Sequence, residues 1–288
     1  DADSGQAVKG MERMEFAAML AAVRERAPLV QCITNIVTVN DCANILLAAG
    51  ASATMAHHPL EVADAVAGVQ ALVLNLGAVG DREAMLIAGK EANRLGVPVI
   101  FDPVAAGFTG LRRETARTLL EEVRFAVIRG NASEIRSLTE NKEGGSGVDV
   151  AQADAVTESG LPQAAELAFA LSKRTGAAVT LSGAVDVIAQ GERVLFLRNG
   201  SPTMARITGS GCMLSALTGA FCGASPDKPF EAAAAAAASI ALAGERAEEL
   251  RLRKGTGNAT FRIDLIDSVF NLTGKQLIQG VRYEVYQG

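Results

Sequence analysis

The chain has no C-x-x-C pair, no G-x-x-x-x-G-K-[ST] loop and no block of basic residues. Each absence removes a class of function. The four cysteines, Cys32, Cys42, Cys212 and Cys222, stand too far apart for zinc-finger or thioredoxin-like spacing. Four thiols in 288 residues do not suggest a disulfide scaffold either, and they fit a reducing, cytoplasmic setting. Lys+Arg number 27 against 32 Asp+Glu, a net charge of -5, so no general nucleic-acid surface is expected. That balance does not forbid an anionic substrate, because a glycine-rich turn binds phosphate through its own amides. The longest apolar run, "AAAAAAASIALAG" at 232–244, is shorter than the roughly 20 residues of a membrane helix. It reads as a helix packed closely inside the protein, and no membrane partner is expected. The opening "DADSGQAVKG" is polar, without a signal-peptide pattern. Residues 1–12 are expected to form a flexible segment. With no internal repeat and no dividing linker, 13–288 are expected to form one domain.

What the chain does have is alternation. Short runs rich in β-branched residues end in Gly, Asp or Asn, and longer helical runs follow. "ALVLNLG" (71–77), "VPVIFDP" (97–103) and "FAVIRGN" (125–131) read as strands. Residues 82–96, 113–123 and 133–140 read as the helices between and after them, with Gly96 at a C′ position. A glycine-rich polar loop is expected over 141–160, then a helix over 161–175. Strands follow at 177–183, 185–191 and 193–200, and a last helix near 263–279. The pattern predicts an α/β fold, a mostly parallel sheet with helices on both faces. Ligands in such sheets bind beyond the carboxyl ends of the strands. Asn75, Asp102, Arg129, Asn131, Ser182 and Gly209 all fall at such ends.

The segment "TGSGCMLSALTGAF" (208–221) runs from a glycine-punctuated turn into an apolar helix, with Cys212 at its start. A helix start offers free N–H groups and the positive end of the macrodipole, which attracts anions and lowers a thiol pKa. Taken alone, "GSGC" serves tight packing as well as phosphate binding. Its neighbours favour phosphate: Arg129 offers planar donors, and Asp102 and Glu134 offer oxygen ligands for Mg²⁺. An anion-binding turn, an arginine and two carboxylates are the components of metal-assisted phosphoryl transfer. Asn131 also reads as a helix N-cap, Asn35 as a turn cap, Met55 as core filler and Cys212 as a packing thiol. Arg129 and Ser182 also read as ordinary turn and strand-end residues. The adjacent His57 and His58 lack a third ligand at convincing spacing and read as a loop near the pocket.

Four segments together carry a resemblance: "QCITNIVTVNDCANILLAAGASATMAHHPLEV" (31–62), "FDPVAAG" (101–107), "VIRGNASEI" (127–135) and "TGSGCMLSALTGAF". With them the chain resembles the hydroxyethylthiazole kinase family of thiamine salvage, from about residue 15 to 280. The resemblance implies a ribokinase-like three-layer α/β/α sandwich. It implies that ATP, with Mg²⁺, phosphorylates the hydroxyl of 4-methyl-5-(2-hydroxyethyl)thiazole. It places Cys212 near that hydroxyl as the catalytic residue. Met55, Gly209 and Asn35 fall on the substrate side, Arg129 and Ser182 on ATP, and Asp102 and Glu134 near the phosphates and metal. It further implies a cytoplasmic homotrimer with active sites between subunits. The chain departs from the pattern at "KGTGNATF" (254–261), in place of a GPGSF-like segment, at "LSG" where Thr-Gly is common, and in a small insertion at 141–150. Other readings of the same parts are a pyrimidine or sugar-alcohol kinase, an ATP-dependent hydro-lyase and a nucleotide-binding regulator without catalysis.

Overall fold

A computed structural model describes residues 11–139, 156 and 158–287. The segment 1–10, the insertion 141–150 and most of the loop expected over 141–160 therefore lie outside the described residues. Nine strands form one sheet: β1 (Leu29–Ile33), β2 (Ser52–Thr54), β3 (Ala71–Asn75), β4 (Val99–Asp102), β5 (Val127–Asn131), β6 (Ala178–Ser182), β7 (Asp186–Gln190), β8 (Arg193–Leu197) and β9 (Tyr283–Gln287). Their order is β2-β1-β3-β4-β5-β6-β7-β8-β9. Every pairing from β2 to β6 is parallel, and those from β6 to β9 are antiparallel. The mostly parallel α/β sheet expected from the alternation is present.

Eleven helices are seen among the described residues: α1 (Arg13–Arg26), α2 (Val39–Ala49), α3 (Val62–Ala67), α4 (Arg82–Leu95), α5 (Gly110–Glu122), α6 (Ala132–Thr139), α7 (Leu161–Thr175), α8 (Ser210–Ala224), α9 (Pro229–Lys254), α10 (Asn258–Phe270) and α11 (Gly274–Gly280). They make two layers. Along β3, β4 and β5, Val73, Ile100 and Val127 face one core with α1, α2, α8, α9, α10 and α11. Leu72, Leu74, Phe101 and Ile128 face the other, with α3, α4, α5, α6 and α7. Side chains on a strand alternate between faces, so a strand buried on both sides reads as an unbroken apolar run. The alanine run 232–238 in α9 is wholly buried, as expected of small residues in a tight layer. No helix among the described residues is long and apolar enough to cross a membrane.

One expected element is two. The helix foreseen near 263–279 stops at Phe270 and restarts at Gly274. Thr273 makes the new start: its hydroxyl accepts from the Gln276 amide, and the Gln276 side chain accepts from the Thr273 amide. Such a reciprocal cap satisfies two orphan donors of a helix N-terminus. The strand foreseen over 193–200 ends at Leu197.

Candidate active site

The register of the parallel strands assembles the site. Asn75 pairs with Asp102 across β3 and β4, and Asn131 pairs with Ser182 across β5 and β6. Helix α8 is almost wholly buried along its length, with its N-terminus at these strand ends. Gly209 caps it with φ of +84°, a left-handed conformation that glycine adopts without strain. The helix begins at Ser210, so Cys212 sits inside its first turn rather than at its first position.

Arg129 lies against that first turn. A Cβ built on Gly211 would stand 2.5 Å from the Arg129 Nη1 atom, so the guanidinium occupies the space a side chain would take. Arg129 Nη2 donates to the Ser182 hydroxyl at 2.6 Å, and Nη1 lies 3.8 Å from Asp102 Oδ1. Asp102 is fully buried. Its Oδ2 accepts from Asn75 Nδ2 at 2.9 Å and from the Ser215 hydroxyl at 2.7 Å. Asp102 Oδ1 and Arg129 Nε are buried without a hydrogen-bond partner among the described residues. Buried polar atoms are nearly always paired, so these two orphans on neighbouring side chains call for a partner that the described residues do not supply. Burial pushes the Asp102 carboxyl up to about 6, with Arg129 and Ser215 opposing and Glu134 adding to the rise.

The helix-start argument anticipates a lowered pKa for Cys212, and the structure reverses it. Burial, and then the Asp102 charge, push the thiol above its ordinary range, while Thr38, Asn75 and Arg129 oppose the shift. The dipole of one helix end is a modest effect, and desolvation is the larger one. The sulfur accepts from Asn75 Nδ2 at 3.2 Å and faces Asn35 Nδ2 at 3.6 Å. Asn35 also caps its own turn, accepting from the Val37 amide at 2.9 Å, as its turn-cap reading expects.

Beside the thiol opens a cleft of about 620 Å³, lined by Cys32, Thr34, Asn35, Met55, His57 and Arg112 among others. Met55 and Asn35 therefore share it, and His57 lies in its wall with Nδ1 3.1 Å from the Met55 carbonyl. A larger hollow, about 1370 Å³, lies between α4, α5, α6 and α7. None of the sequence-predicted site residues lines it, and the strand ends do not reach it. Two residues that sequence reasoning left without a role are central. Asn75 joins the thiol to the carboxylate, and Ser215 lies one helical turn beyond Cys212.

Glu134, read from the sequence as an oxygen ligand for Mg²⁺, has both oxygens engaged by the backbone. Its two oxygens accept backbone amides, Oε1 from Ala105 at 3.0 Å and Oε2 from Asn131 at 2.8 Å. Asn131 returns the bond to the Glu134 amide at 2.9 Å, confirming it as a cap. No group of three or more His, Cys, Asp or Glu suited to a metal occurs among the described residues. The donors present fit a Mg²⁺ ion that arrives on a nucleotide and keeps its waters, not a resident caged ion.

Known proteins share this arrangement of fold and chain. The profile of the hydroxyethylthiazole kinase family matches residues 20–275. The hydroxyethylthiazole kinase of Clostridium acetobutylicum is 47% identical over 269 residues, covering 93% of this chain and 98% of its own. That of Methanocella arvoryzae is 43% identical over 274 residues, covering 94% and 98%. Among solved structures, hydroxyethylthiazole kinase from Pyrococcus horikoshii OT3 superposes with a TM-score of 0.82 at 31% identity, covering 94% of this chain and 99% of that one. Pyridoxal kinase from Staphylococcus aureus, in complex with pyridoxal, gives 0.61 at 14% identity over 90% and 98%. A ribokinase-like superfamily protein from Enterococcus faecalis gives 0.54 at 12%, and these two show the fold alone. The fold is thus ribokinase-like, and the chain belongs to the hydroxyethylthiazole kinase family.

Proposed function

We propose that the cleft beside Cys212 holds the hydroxyethylthiazole alcohol, and that the α8 N-terminus and Arg129 hold the phosphates of Mg-ATP. The enzyme phosphorylates the thiazole alcohol, the salvage reaction of its family. One observation carries the assignment of parts. A thiol in contact with Asn35, which lines the cleft, and an arginine against the first turn of the same helix stand side by side at the α8 N-terminus. The alcohol oxygen attacks the γ-phosphorus, the bond from that phosphorus to the bridging oxygen breaks, ADP leaves, and the alcohol proton departs late in the step to an oxygen of the transferred group and then to water. Charge on the transferring group meets fixed N–H groups of α8 and the guanidinium, which need no reorganisation. Mg²⁺ bound with the nucleotide would neutralise phosphate charge there, and Asp102 and Glu134 would be the residues to hold it. Met55 packs on the thiazole ring, Asn35 and Gly209 border the alcohol, and Ser182 fixes Arg129 toward the nucleotide.

We also assign a homotrimer with shared active sites. Ile36 and Val37, on the lip of the cleft, are 88% and 69% exposed, and Leu47, Ile263 and Phe270 expose further apolar surface on α2 and α10. Exposed apolar residues grouped around a binding site favour coverage by another chain. Light scattering of active fractions tests this, and an active monomer would contradict it. Cytoplasmic residence accords with the free thiols.

The direct test is incubation with Mg-ATP and the thiazole alcohol, followed by mass spectrometry for the phosphate ester. A pH profile adds a check on Asp102. Its pKa of about 6 lies above the ordinary 3.8. Ionising it in the folded protein therefore costs stability, a contribution intact below about pH 4 and lost as pH rises through 6. Activity runs the opposite way, because the charged carboxylate holds Asn75, Ser215 and Arg129. Since kcat/KM reports free-enzyme groups, it is expected to fall about tenfold per unit below pH 6. A flat profile between pH 5 and 8 would remove Asp102 from that role.

A further inference from the structure

The Asn75 side chain is buried and fully committed. Its Oδ1 accepts the Gly77 amide at 2.8 Å, which fixes which end of the carboxamide is oxygen. The reverse orientation would set N–H against N–H at Gly77 and oxygen against the Asp102 carboxylate. Both hydrogens on Nδ2 are then assigned: one goes to Asp102 Oδ2 at 2.9 Å, the other to Cys212 Sγ at 3.2 Å. One nitrogen thus spans β4 and α8, the two elements that carry the carboxylate and the thiol.

We infer that Asn75 is a positioning residue that makes Asp102 and Cys212 one hydrogen-bonded unit and aims the sulfur at the acceptor alcohol. This rests on the kinase reading for its consequence in turnover, though not for its geometry. An N–H donated to sulfur occupies a lone pair and turns the thiol hydrogen away from Asn75. On another side lies Asn35, which itself lines the cleft. Asp102 anchors the donor in turn, since a bond to a charged acceptor is roughly twice as strong as one between neutral groups. Loss of Asn75 would leave the sulfur with the longer Asn35 contact at 3.6 Å and the Thr38 side chain, and free the Asp102 oxygen to repel it.

Several other groups face the thiol: Asp102 from β4, Arg129 from β5, Cys42 from α2, and Thr38 from the loop before α2. Glu134 acts on Asp102 from α6. A test must therefore change Asn75 while keeping these in place. Asn75→Asp keeps an acceptor for Gly77 and removes the donor to sulfur, and because it also sets an oxygen against Asp102, Asn75→Ala, which adds no charge, is read beside it. Cys212 is the only cysteine among the described residues that is not buried, so iodoacetamide with peptide mapping reads it selectively.

The expected result for Asn75→Asp is a kcat at least tenfold lower, with the KM for ATP within threefold of wild type. Alkylation of Cys212 at pH 9 should also slow at least tenfold, the equivalent of one pKa unit. A merely structural role would lower the melting temperature and leave kcat and the alkylation rate within twofold, which would overturn the proposal. Should Asn75→Asp fail to fold, Asn75→Ala carries the same two expectations without adding charge. Alkylation needs no substrate, so a wild-type enzyme that makes no thiazole phosphate would refute the reaction while the Asn75 test still stands.

Discussion

Arg129→Ala is expected to lower kcat/KM for Mg-ATP by roughly a thousandfold, with the loss shared between a higher KM and a lower kcat. Arginines that meet the transferring group in phosphoryl transfer are worth about 10³ or more in rate. Here the guanidinium is held from two sides, by Ser182 and by the Asp102 charge, and it packs on the first turn of α8. Its alignment is therefore settled before ATP arrives. Removing it takes the cation from the phosphates and also leaves the buried Asp102 without its counter-charge, so the carboxyl pKa should climb further. Arg129→Lys should recover only part of the activity, since one ammonium cannot reproduce the fork that serves Ser182 and Asp102 together. Gly211→Ala gives an independent arm. It removes no charge and no donor, yet its Cβ would displace the guanidinium, so ATP KM should rise about tenfold or more. A coupled ADP-release assay with thermal melts on each variant measures these effects. Unchanged ATP kinetics in Arg129→Ala would refute the phosphate role.

Much of this was legible in the residues. The runs 71–77, 97–103 and 125–131 fixed three central strands because strands covered on both faces need continuous apolar sequence. Asp102 and Ser182 do fall at strand ends, whereas Arg129, expected at one, lies mid-strand in β5 opposite Thr180 and reaches Ser182 and Asp102 through its long side chain. The break at Asn271–Thr273 was missed because the apolar period carries on across it. Its T-x-x-Q signature was present in Thr273 and Gln276. Asn75 and Ser215 were harder. An asparagine before a glycine turn reads as a turn residue, which it is, through Gly77. Its other contacts lie 27 and 137 positions away in the chain. Ser215 reads as a small helix residue until β4 is seen beside it. The thiol failed for an energetic reason. A helix start is visible in sequence, but burial and a carboxylate from another strand are not, and they outweigh it.

That reversal decides what Cys212→Ala should do. The thiol is protonated at neutral pH, because burial and Asp102 hold its pKa above the ordinary value. A loose phosphoryl-transfer transition state leaves the alcohol proton in place until late, so a strong base has little to contribute. Positioned acid–base groups give 10²–10⁴-fold, and a neutral thiol belongs at the low end. Cys212→Ala is accordingly expected to lower kcat about a hundredfold while ATP KM stays within threefold, since the proposed phosphate contacts are those of Arg129 and the α8 amides. The alanine would also leave Asn75 and Asn35 donating into space the sulfur filled. The pH dependence separates two roles for the sulfur. A neutral thiol that orients the alcohol gives wild type and Cys212→Ala parallel kcat profiles from pH 7 to 9, a constant ratio apart. A thiolate base would make wild-type kcat climb about tenfold per unit toward the raised thiol pKa while the alanine variant stays flat. The ratio between the two enzymes across that range, measured by single-turnover kinetics that isolate the chemical step, therefore reads the protonation state of the sulfur as the phosphorus–oxygen bond forms. Parallel profiles are the expected outcome, and a ratio that widens with pH would make the thiolate the base.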